Sequence, residues 1–133
     1  MKFNNYVGTI VCLAMFSQFM VSCSKGSVKE KEEGIKFETD ALESNICSAD
    51  KFSFTVKLLS VMPSNGIKLS VNAKEEGSGL SLDQDAFLIS KGTQTAMNVK
   101  GLPKQKWVLA TVKVCSAKDT SNCVSKTFRV VFK

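Results

Sequence analysis

The chain has 133 residues, with 18 basic and 12 acidic side chains, five cysteines, one tryptophan, one tyrosine and no histidine. That length holds a single domain and excludes a multidomain enzyme. The missing histidine removes the usual general base and the commonest metal ligand.

Met1-Lys2-Phe3-Asn4-Asn5 opens the chain with one positive charge, and Tyr6 to Val21 follows as a mostly apolar stretch broken by Gly8, Thr9, Ser17 and Gln18. One charge, a short apolar run and a small residue before a break form the layout of a secretory signal. The run is short for a membrane span, which needs about 20 apolar residues. At its end Met20-Val21-Ser22-Cys23 resembles a bacterial lipobox, with methionine where leucine is usual. The resemblance implies that residues 1–22 are a lipoprotein signal peptide cut before Cys23. It implies also that the Cys23 thiol carries a diacylglycerol and that the new amine is acylated, for instance by palmitate. Each buried methylene contributes about 0.8 kcal/mol, so several chains on one residue give lasting membrane attachment. Ser24 stands where lipoproteins of enterobacterial type carry the aspartate that retains them in the inner membrane. The resemblance therefore implies an outer-membrane lipoprotein.

From Ser24 to Gly34 the single apolar side chain is Val28. Such a segment buries too little surface to offset the entropy of ordering it, and residues 23–34 are expected to be the lipidated cysteine and a flexible charged tether. From Gly34 onward the apolar period is two, the spacing of half-buried strands. Ile35 and Phe37 alternate with Lys36 and Glu38; Phe52, Phe54, Val56 and Leu58 alternate with Ser53, Thr55 and Lys57. Ile67, Leu69, Val71 and Ala73 share a face, as do Val108, Ala110, Val112 and Val114, and again Phe128, Val130 and Phe132. Two weaker strands fit at Phe87 to Ser90 and Thr95 to Val99. Turn signals stand between them at Pro63-Ser64-Asn65-Gly66, Glu76-Gly77-Ser78-Gly79, Lys91-Gly92 and Gly101-Leu102-Pro103. The pattern predicts an all-β domain over residues 35–133, an antiparallel β-sandwich of about seven strands.

Gly101-Leu102-Pro103-Lys104-Gln105-Lys106-Trp107, leading into Val108 to Cys115, resembles the corner between strands E and F of fibronectin type III and related immunoglobulin-like domains. There a leucine and a proline precede the aromatic residue that opens strand F. The leucine-to-aromatic spacing is one residue shorter here, and tryptophan replaces the common tyrosine. Antibody-type domains fit less well, because Phe52 to Leu58 holds no cysteine and Ile67 to Ala73 no tryptophan. The whole layout of lipobox, charged tether and lone sandwich also looks like small Bacteroidetes lipoproteins with an immunoglobulin-like domain. That resemblance implies fold and location and carries no activity.

Catalysis would need a nucleophile with a base, paired carboxylates or a metal cluster, and the sequence offers no such constellation. No catalytic residue, cofactor or metal site is expected. Asp83-Gln84-Asp85 sets two carboxylates on one face of an extended segment but lacks the glycine and further oxygen ligands of a calcium loop. The lysines are spread along strands and turns, with no cluster interleaved with aromatics, which argues against nucleic acid. Trp107 is read as a partly buried core residue, or as a stacking platform for a sugar. The expected partners are the membrane, through the lipid on Cys23, and a protein or glycan. If binding occurs, it is expected at the end carrying the loops Ser60 to Gly66 and Ser116 to Asn122, with Met62 and Pro63 offered in a turn and Lys118 and Asp119 in the facing loop. The alternative is a structural or accessory subunit of an envelope complex, contacted through a sheet edge.

Export implies a compartment where disulfides persist. Cys115 has the parity of Leu109, Thr111 and Lys113, and Cys123 that of Ser125, Thr127 and Arg129, so both sulfurs are expected on the outer face of adjacent strands, bonded to each other. Cys47 is expected in a loop before the strand Phe52 to Leu58, at the other end of the sandwich and too far away to bridge.

Overall fold

A computed structural model describes residues 31–133. The expected signal peptide, Cys23 and the tether up to Glu30 lie outside the described residues. The strands are β1 (Phe37–Thr39), β2 (Ser44–Cys47), β3 (Phe52–Leu58), β4 (Ile67–Glu75), β5 (Ser81–Leu82), β6 (Leu88–Ser90), β7 (Gln94–Val99), β8 (Trp107–Ser116) and β9 (Cys123–Phe132). They form two sheets, ordered β1-β3-β7 and β2-β9-β8-β4-β5, with β6 also paired to β4. With β1, β3 and β7 as A, B and E, and β4, β8 and β9 as C, F and G, this is the strand distribution of an immunoglobulin-type sandwich.

Period-two alternation decides which face is inside. Phe54, Val56 and Leu58 of β3 and Val108, Ala110, Val112 and Val114 of β8 are buried in one core that both sheets share. Phe128 of β9 meets the Phe54 ring edge-on at 5.1 Å and the Phe52 ring at 5.8 Å, tying the sheets together. Removing such a buried ring costs about 3–5 kcal/mol, a large part of the roughly 5–15 kcal/mol that holds a small domain folded. Leu102, from the Gly-Leu-Pro corner, is buried in the same core, and its N–H donates to Asp50 O at 2.9 Å.

The nine strands exceed the expected seven because β2 and β5 carry no apolar alternation. β2 forms after the chain leaves β1 and crosses to the other sheet, where it pairs parallel to β9, Ser44 opposite Arg129 and Cys47 opposite Phe132. Buried Asn45 holds the crossing: its Nδ2 donates to Leu42 O and Arg129 O at 2.7 and 3.0 Å, and its Oδ1 accepts from Leu42 N at 2.9 Å. Cys47 therefore ends a strand and does not sit in a loop. It is unpaired and lies at the Phe132 end of β9, about 30 Å from Cys123 at the rise of an extended strand. Ordered contact also begins before residue 35, since Glu33 Oε2 accepts from Val61 N at 3.2 Å and Glu33 O from Asn122 Nδ2 at 2.9 Å.

Cys115 and Cys123 form a disulfide across β8 and β9. Ser116 N donates to Asn122 O, which makes Cys115 and Cys123 a non-hydrogen-bonded pair, the kind in which opposed side chains stand closest. The bond closes a loop with a sequence separation of 8. In the chain-entropy account such a closure stabilises by about 2–3 kcal/mol. Cys115→Ser with Cys123→Ser is expected to lower the free energy of unfolding in urea by about that amount. Non-reducing peptide mapping should recover the 115–123 link; a link from Cys47 to either partner would contradict the register.

Candidate functional site

The two loops expected to bind do meet at one end of the sandwich. Ala117 N donates to Gly66 O at 3.0 Å across them. Met62 and Pro63 are not offered to solvent, however. The turn closes with Gly66 N donating to Pro63 O at 2.8 Å, Gly66 taking a positive φ of 84°; Pro63 is buried and Met62 packs on the core. The apolar side chains exposed there are Leu59 (54%) and Val61 (71%). Lys118 is exposed, and Asp119 Oδ1 accepts from the Ser121 N–H and hydroxyl at 3.0 and 2.6 Å, so its carboxylate shapes the turn.

This end is also where the N-terminal segment enters. Asn122 clasps it, with Oδ1 accepting from Ile35 N at 3.0 Å and Nδ2 donating to Glu33 O. Lys36 N donates to Ser60 Oγ at 3.1 Å. The loop end is thus partly covered by the chain itself.

Trp107 lies on the outer face of its sheet, not in the core, because it has the parity of Leu109 and Lys113. Arg129 stands over its ring at 4.5 Å. The same guanidinium donates from Nε and Nη2 to both carboxylate oxygens of Glu76, each at 2.7 Å. A ring capped by a fixed cation does not present that face to a sugar.

Among the described residues, the longest contiguous run of exposed apolar side chains lies on the flank. β5 and β6 are two pieces of one edge strand: Leu82 pairs with Ala73 and Leu88 with Leu69, so five residues, Asp83 to Phe87, stand opposite three of β4. This bulge leaves the sheet and reaches toward β7. Gln84 Nε2 donates to Lys100 O and its Oε1 accepts from Lys100 N, both at 2.9 Å. Asp85 pairs with Lys100 Nζ at 2.6 Å, which uses the acidic tract as a staple and not as a calcium loop. Behind the bulge is a groove of about 350 Å³ lined by Leu69, Val71, Phe87, Leu88, Ala96 and Met97, among others. Phe87, Leu88 and Ile89 are 52%, 45% and 55% exposed, and Ala86 before them is exposed too. Lys68 Nζ sits 4.0 Å from the Phe87 ring centroid. The sequence marked this stretch only as a weak strand; its unbroken apolar run was the available signal.

Among the described residues, no group of three or more His, Cys, Asp or Glu side chains is placed to hold a metal ion. No protein-family model, curated protein or solved structure matches the chain significantly.

Glu76 and Arg129 yield a pH test. The hydrogen bond from Arg129 is the main cause that holds the Glu76 carboxyl below its ordinary value of 4.5, and it raises Arg129 in turn. A depressed folded-state value means the pair contributes at neutral pH and is lost as pH falls through that value. Trp107 is the only tryptophan, so its emission reports the pair. Emission should stay constant from neutral pH down past 4.5 and change below it. Glu76→Gln should alter it at neutral pH and abolish the acid step; a wild-type step centred above 4.5 would contradict the assignment.

Proposed function

We propose that the protein is a non-enzymatic, lipid-anchored binding module of the cell envelope, held by Cys23 in the outer membrane and recognising a protein through the flank of its sandwich. The observation that carries the binding reading is the exposed run Ala86-Phe87-Leu88-Ile89 beside the groove, since contiguous exposed apolar side chains on a small soluble domain mark interaction sites. The lipobox Met20 to Cys23 supports the anchor. A glycan as ligand is the weaker form of this reading, because the one tryptophan is capped by Arg129.

The chain from Cys23 to Lys31 reaches at most about 29 Å when extended, which bounds how far the domain can stand from the lipid. The second reading, an accessory subunit of an envelope complex, is favoured by β7, the longest edge strand of either sheet, whose outer side pairs with no strand among the described residues.

Intact mass of detergent-extracted protein should show a chain starting at Cys23 with added acyl mass, in the membrane fraction. Cys23→Ser should move the protein to the soluble fraction. A soluble wild-type species starting at another residue would remove the anchor.

A further inference from the structure

The outer side of β7 is an open ladder. Leu58 N donates to Thr93 O, and the register of β3 with β7 then turns the N–H and C=O groups of Thr95, Met97 and Val99 toward β3. Those of Ala96, Asn98 and Lys100 face the free edge. Lys100 is satisfied there by the primary amide of Gln84, which donates to its carbonyl and accepts from its N–H as the peptide group of a neighbouring strand would. Ala96 and Asn98 have no such backbone partner among the described residues. β7, Gln94-Thr95-Ala96-Met97-Asn98-Val99, contains none of the lysines or prolines that commonly protect an edge.

Resting on the reading of the protein as a binding module, we infer that this edge and the adjoining groove form a docking site for an extended segment of a partner polypeptide, added to β7 as a fourth strand. Its backbone completes the two open rungs at Ala96 and Asn98. Its alternate side chains, which must be apolar, enter the groove over Val71 and Met97, against Phe87 and Leu88. The groove's 350 Å³ is at the lower end of the range for ligand sites, about 300–1,000 Å³, which suits one or two side chains rather than a larger body.

Area selects the occupant. The exposed parts of Phe87 and Leu88, the two that line the groove, amount to roughly 200 Å². Each partner in a stable interface between globular proteins buries about 800 Å². A second copy of this domain would have to find most of its interface elsewhere. An extended segment makes up the difference with main-chain hydrogen bonds, as strand addition does. The chain's own Ser24 to Glu30 has one apolar side chain, Val28, and does not match the groove.

The test uses the full lipidated chain in detergent micelles and, as probe, a displayed library of random twelve-residue segments. Selection is run in parallel against Ala96→Pro, which removes the edge N–H without touching the β3 ladder, and against Phe87→Asp with Leu88→Asp, which changes only exposed side chains. The expected result is enrichment of segments with apolar residues at alternate positions. Their affinity should fall on the order of tenfold for Ala96→Pro, and by at least as much for the Asp pair. The Ala96 and Asn98 amides should become protected from hydrogen exchange when a selected segment is added. Recovery of no segment over the Ala96→Pro background, protection confined to other residues, or a doubled protein mass with protection of Ala96 through a second copy would each overturn the inference. Membrane fractionation of the same preparation reads the anchor separately, so loss of the docking site and loss of the anchored-module reading are distinguishable.

Discussion

Val108, Ala110, Val112 and Val114 have no measurable exposure, because the face of β8 they form lies between a three-stranded sheet and a six-stranded one. Sheets of unequal width share a core only where they overlap. At the centre, Val56, Val99 and Phe54 of the narrow sheet cover β8 and β9. At the margins the wide sheet runs out of cover. On the β9 side, Lys126 extends over the Phe37 ring at 5.4 Å. On the β4 side no further strand among the described residues flanks β7, and the bulge Asp83 to Phe87 partly fills the gap. The groove is thus a consequence of the width mismatch.

The molecule protects its other edges. β1, β2, β5 and β6 have two to four residues each, too short to template a long pairing. The loop end is clasped by Asn122 and stapled by the disulfide, and the outer face of the wide sheet is laced by Thr111 with Thr127 and by Arg129 with Glu76. Exposed ion pairs of this sort contribute little stability, but they keep a flat face polar and fix the Trp107 ring. Against that background, the unprotected β7 and the apolar run of β6 stand together on one flank.

Much of this was legible in the sequence where a local rule governed it. Period two located the strands from Phe52, Ile67, Trp107 and Phe128 onward, and the same parity put both disulfide cysteines on one outer face. β2 was not legible, because Ser44-Asn45-Ile46-Cys47 has no alternating apolar face and is held by Asn45 and backbone pairing with a strand far away in sequence. A turn signal tells that the chain reverses, and not toward which surface, so Met62 and Pro63 pack inward where the sequence offers them in a turn. An aromatic residue opening a strand suggests the core, whereas parity with Leu109 places Trp107 outside. The groove depends on a two-residue slip in register between Leu82 and Leu88, a tertiary fact with no local signature.

Native-state amide hydrogen exchange of the free protein reads the paired and the open side of β7 residue by residue. Slow exchange is expected at Thr95, Met97 and Val99, whose N–H groups enter the β3 ladder, and at Lys100 through Gln84, with fast exchange at Ala96 and Asn98. Equal protection along Thr95 to Lys100 would contradict an open side, because the edge would then already be occupied.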